Sequence, residues 1–224
     1  LSFHVQDDQG RKTDALIQLV GKMETKWNGS ASAERGSKAG IIFTPTVNGV
    51  KGCHELAGRL CSVLGMDVRY FSGSEPRNAG MGGDAFDTYK RQVQNDFKAN
   101  KYRLLAATKA FGMGVNKGNI AYTVHYGIPG SMEALYQEAG RAGRNKQLFT
   151  AGAADCYVLL TKERKTDLLD KIWDASTTVA ELKESVKGLS RESDVNTNLF
   201  LMTDNLDTIN NEFKLLSAVY QHLV

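Results

Sequence analysis

Cysteine is scarce in this chain and is not arranged to bridge or to hold a metal. Cys53, Cys61 and Cys156 are odd in number and form no CxxC pair. That argues against a disulfide framework or a structural zinc site and suits a reducing cytosol or nucleus. The four histidines are scattered, and His54-Glu55 has no second histidine four residues on, so there is no zincin motif. No apolar run approaches the length of a membrane span, and the N-terminus lacks a signal-peptide pattern. Without any sign of secretion, Asn28-Gly29-Ser30 reads as a turn rather than a glycosylation site.

Strings that bind nucleotides are also missing. There is no GxxxxGK[ST] and no acidic DExD/H box to hold magnesium. Gly112-Met113-Gly114 superficially suggests a dinucleotide fingerprint, but Lys117-Gly118-Asn119 then leads into a strand where the fingerprint needs a helix. The chain alone is therefore expected to hydrolyse no ATP, and no metal ligands are assigned.

What is present is an ordinary globular composition, 42% hydrophobic and 24% charged with three prolines in 224 residues. That length buries a good core and fits one α/β domain with a smaller appendage. The net charge of +3 is small but unevenly spread. Residues 176–224 hold four Lys/Arg against seven Asp/Glu, so residues 1–175 carry the positive excess, 24 against 18. The chain begins at Leu1 and ends inside an apolar helical repeat, and it reads as a piece of a longer protein.

Short β-type runs alternate with helical patterns. Strands are expected at Ile41–Phe43, Val68–Phe71, Leu104–Ala107, Tyr122–Tyr126 and Tyr157–Leu160. Leu56, Leu60 and Leu64 share one helical face, and Phe86, Tyr89, Val93 and Phe97 share another. This rhythm predicts βαβ crossovers and a mainly parallel sheet covered by helices on both sides, with ligands beyond the carboxyl ends of the strands. Residues 28–38 and 74–83 read as surface loops. Beyond residue 175 the pattern is wholly helical. Thr178 and Glu181 form a capping box, followed by Val179, Leu182, Val186 and Leu189 on one face. A second stripe runs through Leu206, Ile209, Phe213, Leu216, Tyr220 and Leu223 and is expected to pack against a neighbouring element. The domains expected are thus 1–175 and a helical accessory segment, 176–224.

The most informative stretch is 106–144, AATKAFGMGVNKGNIAYTVHYGIPGSMEALYQEAGRAGR. It ends in YQEAGRAGR, where Gly140 and Gly143 precede Arg141 and Arg144. This stretch resembles the second RecA-like domain of superfamily 2 helicases, and within them the RecQ-like DNA helicases. AATKAFGMGVNK looks like their motif V, YQEAGRAGR like motif VI, AGIIFT (39–44) like motif IV, and YFSG (70–73) stands where the family has a Tyr-His-Ala-Gly type motif. The ordered set covers about residues 1–173.

The resemblance implies a RecA-like α/β fold and an ATP-dependent DNA helicase acting 3′ to 5′ on single-stranded or forked DNA. The nucleotide, ATP with Mg²⁺, would lie in a cleft against a first RecA-like domain that carries the P-loop. Motif VI would reach across with Arg144 as arginine finger, Arg141 as a second phosphate or cleft contact, and Gln137 organising the water or the opposing domain. Guanidinium suits this because it stays charged and forks onto two oxygens. Gly114 and Asn116 would lie near the nucleotide sugar. Thr108 would bond a nucleic-acid phosphate, as would Thr44 and Thr46 at the start of the helix after motif IV, and Lys90 stands where the family often has arginine. Such a protein works at the nucleoid or in the nucleus.

Several departures stand out. Phe71 replaces the family's histidine, a longer Gly-rich loop follows it, Asn145-Lys146-Gln147 replaces the usual Asp-Gly, and no cysteine follows Cys156 to build the four-cysteine zinc module. Two other classes fit the sequence: a superfamily 2 motor acting on RNA or on duplex DNA, and a binding module that kept the fold without catalysis.

Overall fold

The structure, a computed structural model, describes residues 1–29, 37–112, 116–149, 152–161, 167–187, 189 and 193–203. The chain divides into two compact units, Leu1–Lys162 and Glu163–Val224.

The first unit is built on a six-stranded, wholly parallel sheet. The strands are β1 (Ser2–Asp7), β2 (Ala39–Phe43), β3 (Val68–Phe71), β4 (Leu104–Ala107), β5 (Ile120–Tyr126) and β6 (Asp155–Leu160), in spatial order β1-β6-β5-β2-β4-β3. Every residue of β2, β4 and β5 is buried, as the near-continuous apolar runs require of strands covered on both faces. Helices α1 (Lys12–Asn28) and α2 (Cys53–Leu64) cover one face. There Leu16, Leu19, Val20, Leu56 and Leu60 pack on Ile42, Leu104, Ala106, Tyr122 and Val124. On the other face, Val93 and Phe97 of α3 (Gly83–Lys98) pack with Phe111 and Ala142 on Ile41, Phe43, Leu105 and Ala107. All five expected strands and both expected helical faces are present.

Strand β1 is an addition to the sequence reading. Its apolar residues alternate, but they face outward: Phe3 is 48% and Val5 75% exposed. The strand is held instead by parallel pairing with β6 and by a buried carboxylate. Asp155 accepts from Lys26 Nζ at 2.6 Å and from Trp27 Nε1 at 3.1 Å, and meets His4 Nε2 at 3.2 Å. It therefore ties β1, α1 and β6 together while only 3% exposed. Replacing it by alanine leaves several donors without their acceptor. Asp155→Ala is expected to lower stability by about 3 kcal/mol in urea unfolding, and a loss under 1 kcal/mol would contradict this role.

The ends of the 28–38 loop are pinched by Asn28, whose amide accepts from Lys38 N–H (2.7 Å) and donates to Lys38 C=O (3.1 Å). Residues 30–36 lie outside the described residues. In the 74–83 segment Glu75 Oε1 accepts from Met81 N–H at 2.5 Å and Gly82 N–H at 3.3 Å, just before α3 begins.

The second unit contains α5 (Asp167–Trp173), α6 (Val179–Lys187) and a helix over 194–203. Lys171 Nζ of α5 donates to Ser185 Oγ of α6 at 3.0 Å. The capping box forms as expected. Thr178 N–H and hydroxyl both donate to Glu181 Oε2 at 2.8 Å, and Glu181 N–H returns to Thr178 Oγ1 at 3.3 Å. Val186 is buried on the expected face, whereas Val179 is exposed. The stripe over 206–223 lies outside the described residues. No helix among the described residues is long and apolar enough to cross a membrane.

Candidate nucleotide and nucleic-acid site

The arginine segment lies on α4 (Met132–Ala139) and the turn that follows it. Ser131 caps the helix by accepting from Ala134 N–H at 3.0 Å. After Ala139 the chain turns over residues 140–143. Ala139 and Ala142 are buried, so the turn is docked into the core rather than left in solvent. Gly143 has φ 71°, the left-handed region that favours glycine, and its N–H donates to Ile120 C=O at 2.9 Å. These contacts fix the two arginines differently. Arg141 is 7% exposed, and its Nε finds no protein partner among the described residues. Arg144 is exposed, and its Nε donates to Gly140 C=O at 3.0 Å.

Motif V meets this turn. A Cβ on Gly118 would lie 3.1 Å from Asn145 Cβ, so the residue after the arginines packs directly on the turn that follows motif V and leads into β5. Asn116, Gly118, Arg144, Asn145, Lys146 and Gln147 line one open cavity of about 480 Å³. The structure thus brings Asn116 and Arg144 together. Gly114 lies outside the described residues. Gln137 is exposed on α4 and donates to Glu133 Oε1 at 2.9 Å. Just beyond Asn116, Lys117 is drawn into the fold, its ammonium donating to Asn100 Oδ1 and lying 4.9 Å from the centre of the Phe97 ring. Burial pushes its pKa down to about 8.

Phosphate oxygens only accept hydrogen bonds, so a phosphate site needs donors with capacity to spare. Arg144 and Lys146 in the cavity meet that requirement, whereas the buried Arg141 is not among the residues that line it. Burial, then the neighbouring Arg144, push the Arg141 pKa down, while Glu138 opposes them. Guanidinium begins so high that it stays charged. Among the described residues no group of three or more His, Cys, Asp or Glu could hold a metal ion.

A second set lies at the carboxyl ends of β2, β3 and β4, which are neighbours in the sheet. Thr44 N–H donates to Ala107 C=O at 2.8 Å and Thr108 N–H to Phe71 C=O at 3.0 Å, tying the three ends together. Thr44 and Thr46 do not stand at a helix start, as the sequence suggested. A turn-rich stretch with Gly49 and Gly52 intervenes, and α2 begins only at Cys53. Their hydroxyls donate within this loop, Thr44 to Thr46 C=O (3.0 Å) and Thr46 to Asn48 C=O (3.1 Å). Lys90 is held at Asp87 Oδ1 (2.7 Å) and over the Phe86 ring (5.1 Å). Phe71 is buried against Phe111, at 5.1 Å between ring centres, as expected of a core residue.

Sequence reasoning passed over Lys146, Asn145 and Gln147 as site residues, although they were visible as a departure from the motif VI tail. It also missed a buried pair, His125 Nδ1 to Glu138 Oε2 at 3.0 Å. The signal was there: histidine inside a continuous apolar strand needs a partner.

The family described as "Helicase conserved C-terminal domain" matches residues 11–146. The chain belongs to this family, and within it to the RecQ-like branch of superfamily 2. It is 38% identical over 129 residues to the ATP-dependent DNA helicase Q-like SIM of Arabidopsis thaliana, covering 58% of this chain and 13% of that protein. It is 32% identical over 132 residues to the RecQ-like DNA helicase blm-1 of Caenorhabditis elegans, covering 58% and 11%. With the probable ATP-dependent DNA helicase RecS of Bacillus subtilis it shares 29% over 174 residues, 78% and 29% of the two chains. The chain therefore spans less than a third of the length of these relatives. Among solved structures, a variant of S. cerevisiae Dbp5 bound to RNA and ADP BeF3 shares the fold, with TM-score 0.51 and 19% identity over 72% of this chain and 35% of that one.

Proposed function

We propose that this chain is the second motor domain of an ATP-dependent DNA helicase that moves 3′ to 5′ along single-stranded or forked DNA, at the nucleoid or in the nucleus. The observation that carries the reading is the cavity shared by Asn116 of motif V and Arg144 of motif VI. ATP with Mg²⁺ is held mainly by a first RecA-like domain, and its γ-phosphate is the group transferred to water. Arg144, exposed and tethered through one hydrogen bond, swings onto the charge that develops there. Arg141 gives a second, pre-placed positive charge at the foot of the turn. Gln137 orients the water or the facing domain, and Gly114 and Asn116 flank the sugar. Thr108, at the junction of three strand ends, takes a nucleic-acid phosphate. The committed hydroxyls of Thr44 and Thr46 shape the neighbouring loop, and Lys90 adds a positive charge to the same side.

The experiment uses the 224-residue chain itself. It is expected to show no ATPase activity and weak binding to single-stranded DNA. With about three phosphates neutralised, that affinity falls roughly twentyfold between 50 and 200 mM salt. ATP turnover by the chain alone, or tight binding that persists at high salt, would contradict the assignment. Stronger binding to RNA than to DNA of the same sequence would favour an RNA-directed motor instead.

A further inference from the structure

Beneath the arginine turn lies a polar layer that none of the assigned roles uses. Parallel register places Thr123 beside Cys156 and His125 beside Phe43, so Thr123, His125 and Cys156 share the sheet face that carries Phe43. All three are essentially buried. The His125 ring stacks on Phe43 at 5.4 Å between centres, and its Nδ1 meets Glu138 Oε2 at 3.0 Å. Glu138 is the residue between Gln137 and Ala139 in the last turn of α4, and its backbone C=O accepts from Arg141 N–H at 3.3 Å. Among the described residues four buried side-chain polar atoms lack a protein partner, and Thr123 Oγ1, His125 Nε2 and Arg141 Nε of this layer are three of them. Such a layer is costly in a core unless it sets the geometry of something above it.

We propose that His125 is a positioning residue for the arginine turn: as imidazolium it holds Glu138, and with it the end of α4 from which the Arg141 turn departs. The inference rests on the motor reading only for its effect on turnover. The groups facing His125 are Glu138 on α4, the Cys156 thiol on β6 and the uncharged Phe43 ring on β2, with Arg141 approaching Glu138 from the turn. Burial disfavours the imidazolium, but Cys156 and Glu138 outweigh it and raise the His125 pKa above its ordinary value. The contact is therefore complete below the ordinary histidine pKa, about 6.5. It is lost as pH rises through the elevated folded value. The end of α4 is then released from β5, and the turn that carries Arg141 loosens.

The test begins with the unmodified chain. Its His125 Cε1–H and Arg141 Nε–H resonances are followed by NMR from pH 5.5 to 9. Both are expected to move with one midpoint, above 6.5, and Glu138→Gln is expected to uncouple them. In the full-length protein His125→Gln is then expected to lower nucleic-acid-stimulated kcat about tenfold with KM for ATP within about twofold. The same variant should flatten the decline of kcat toward high pH. An Arg141 resonance indifferent to the His125 titration would overturn the proposal, whatever the protein's activity. So would a pH profile of His125→Gln that parallels the wild type. If the wild-type full-length protein shows no stimulated turnover while the two resonances titrate together, it is the motor reading that fails and the positioning contact that stands.

Discussion

Replacing Arg144 by alanine in the full-length protein is expected to lower nucleic-acid-stimulated ATP turnover by about three orders of magnitude or more, the usual worth of an arginine finger. ATP affinity should change only a few-fold. The side chain is exposed and makes one hydrogen bond, to Gly140 C=O, so its removal empties no core volume and frees no buried group. The turn that carries it stays docked through Ala142 and the Gly143 N–H bond to Ile120. What is lost is a forked cation at the cavity shared with Asn116. Lysine in the same place supplies charge but not the fork, so Arg144→Lys should recover only a small part of the rate. Steady-state hydrolysis with saturating single-stranded DNA, beside equilibrium nucleotide binding, checks this. Turnover within tenfold of wild type would remove Arg144 from the role.

A comparably large loss of stability is expected at a residue with no side chain. A Cβ on Gly40 would lie 2.1 Å from Tyr122 Cζ. That ring is fully buried and cannot step aside, because its hydroxyl donates to Glu24 Oε1 at 3.0 Å and Glu24 is held in turn by Arg103 Nη2 at 3.3 Å. β2 and β5 pair at this point with a shift in register between Ala39 and Gly40. Gly40→Ala must force the strands apart, at a cost of about 3 kcal/mol. For a unit of this size, that lowers Tm by about 10 °C. Combining it with Tyr122→Leu should cost less than the sum of the two single changes, since the methyl then occupies space the ring has left. A Gly40→Ala protein within 0.5 kcal/mol of wild type would show that β2 and β5 are not packed in this way.

The fold was legible where apolar patterning and burial coincide. Five strands and the faces of α2 and α3 follow from runs such as Leu104–Ala107 and from Phe86, Val93 and Phe97 at helical spacing. β1 was not, because its alternation puts Phe3 and Val5 outside and its stability comes from pairing and from Asp155, a residue distant in sequence. The helix after β2 begins later than Thr44 and Thr46 suggest. Threonine looks the same at a helix start as in a loop where its hydroxyl donates to a nearby carbonyl. At the site, ordered motifs made Arg141, Arg144 and Asn116 visible, but only the fold distinguishes a buried arginine from an exposed one. Lys146 enters the cavity, and His125 finds Glu138, through packing that no local spacing encodes.

As an arginine finger, Arg144 is expected to act on charge present in the transition state and not on bound nucleotide as such. Binding of ADP with aluminium fluoride, a mimic of the transferring phosphoryl group, tests it in the full-length protein saturated with single-stranded DNA. Wild type should bind that complex at least about a hundredfold more tightly than ADP alone, in keeping with transition-state analogues. Arg144→Ala should lose most of this advantage while its Kd for ADP stays within threefold, about 0.7 kcal/mol. Equal advantage in the two proteins would contradict the claim, and Arg144 would then be a basic residue of the cleft with no part in the chemical step.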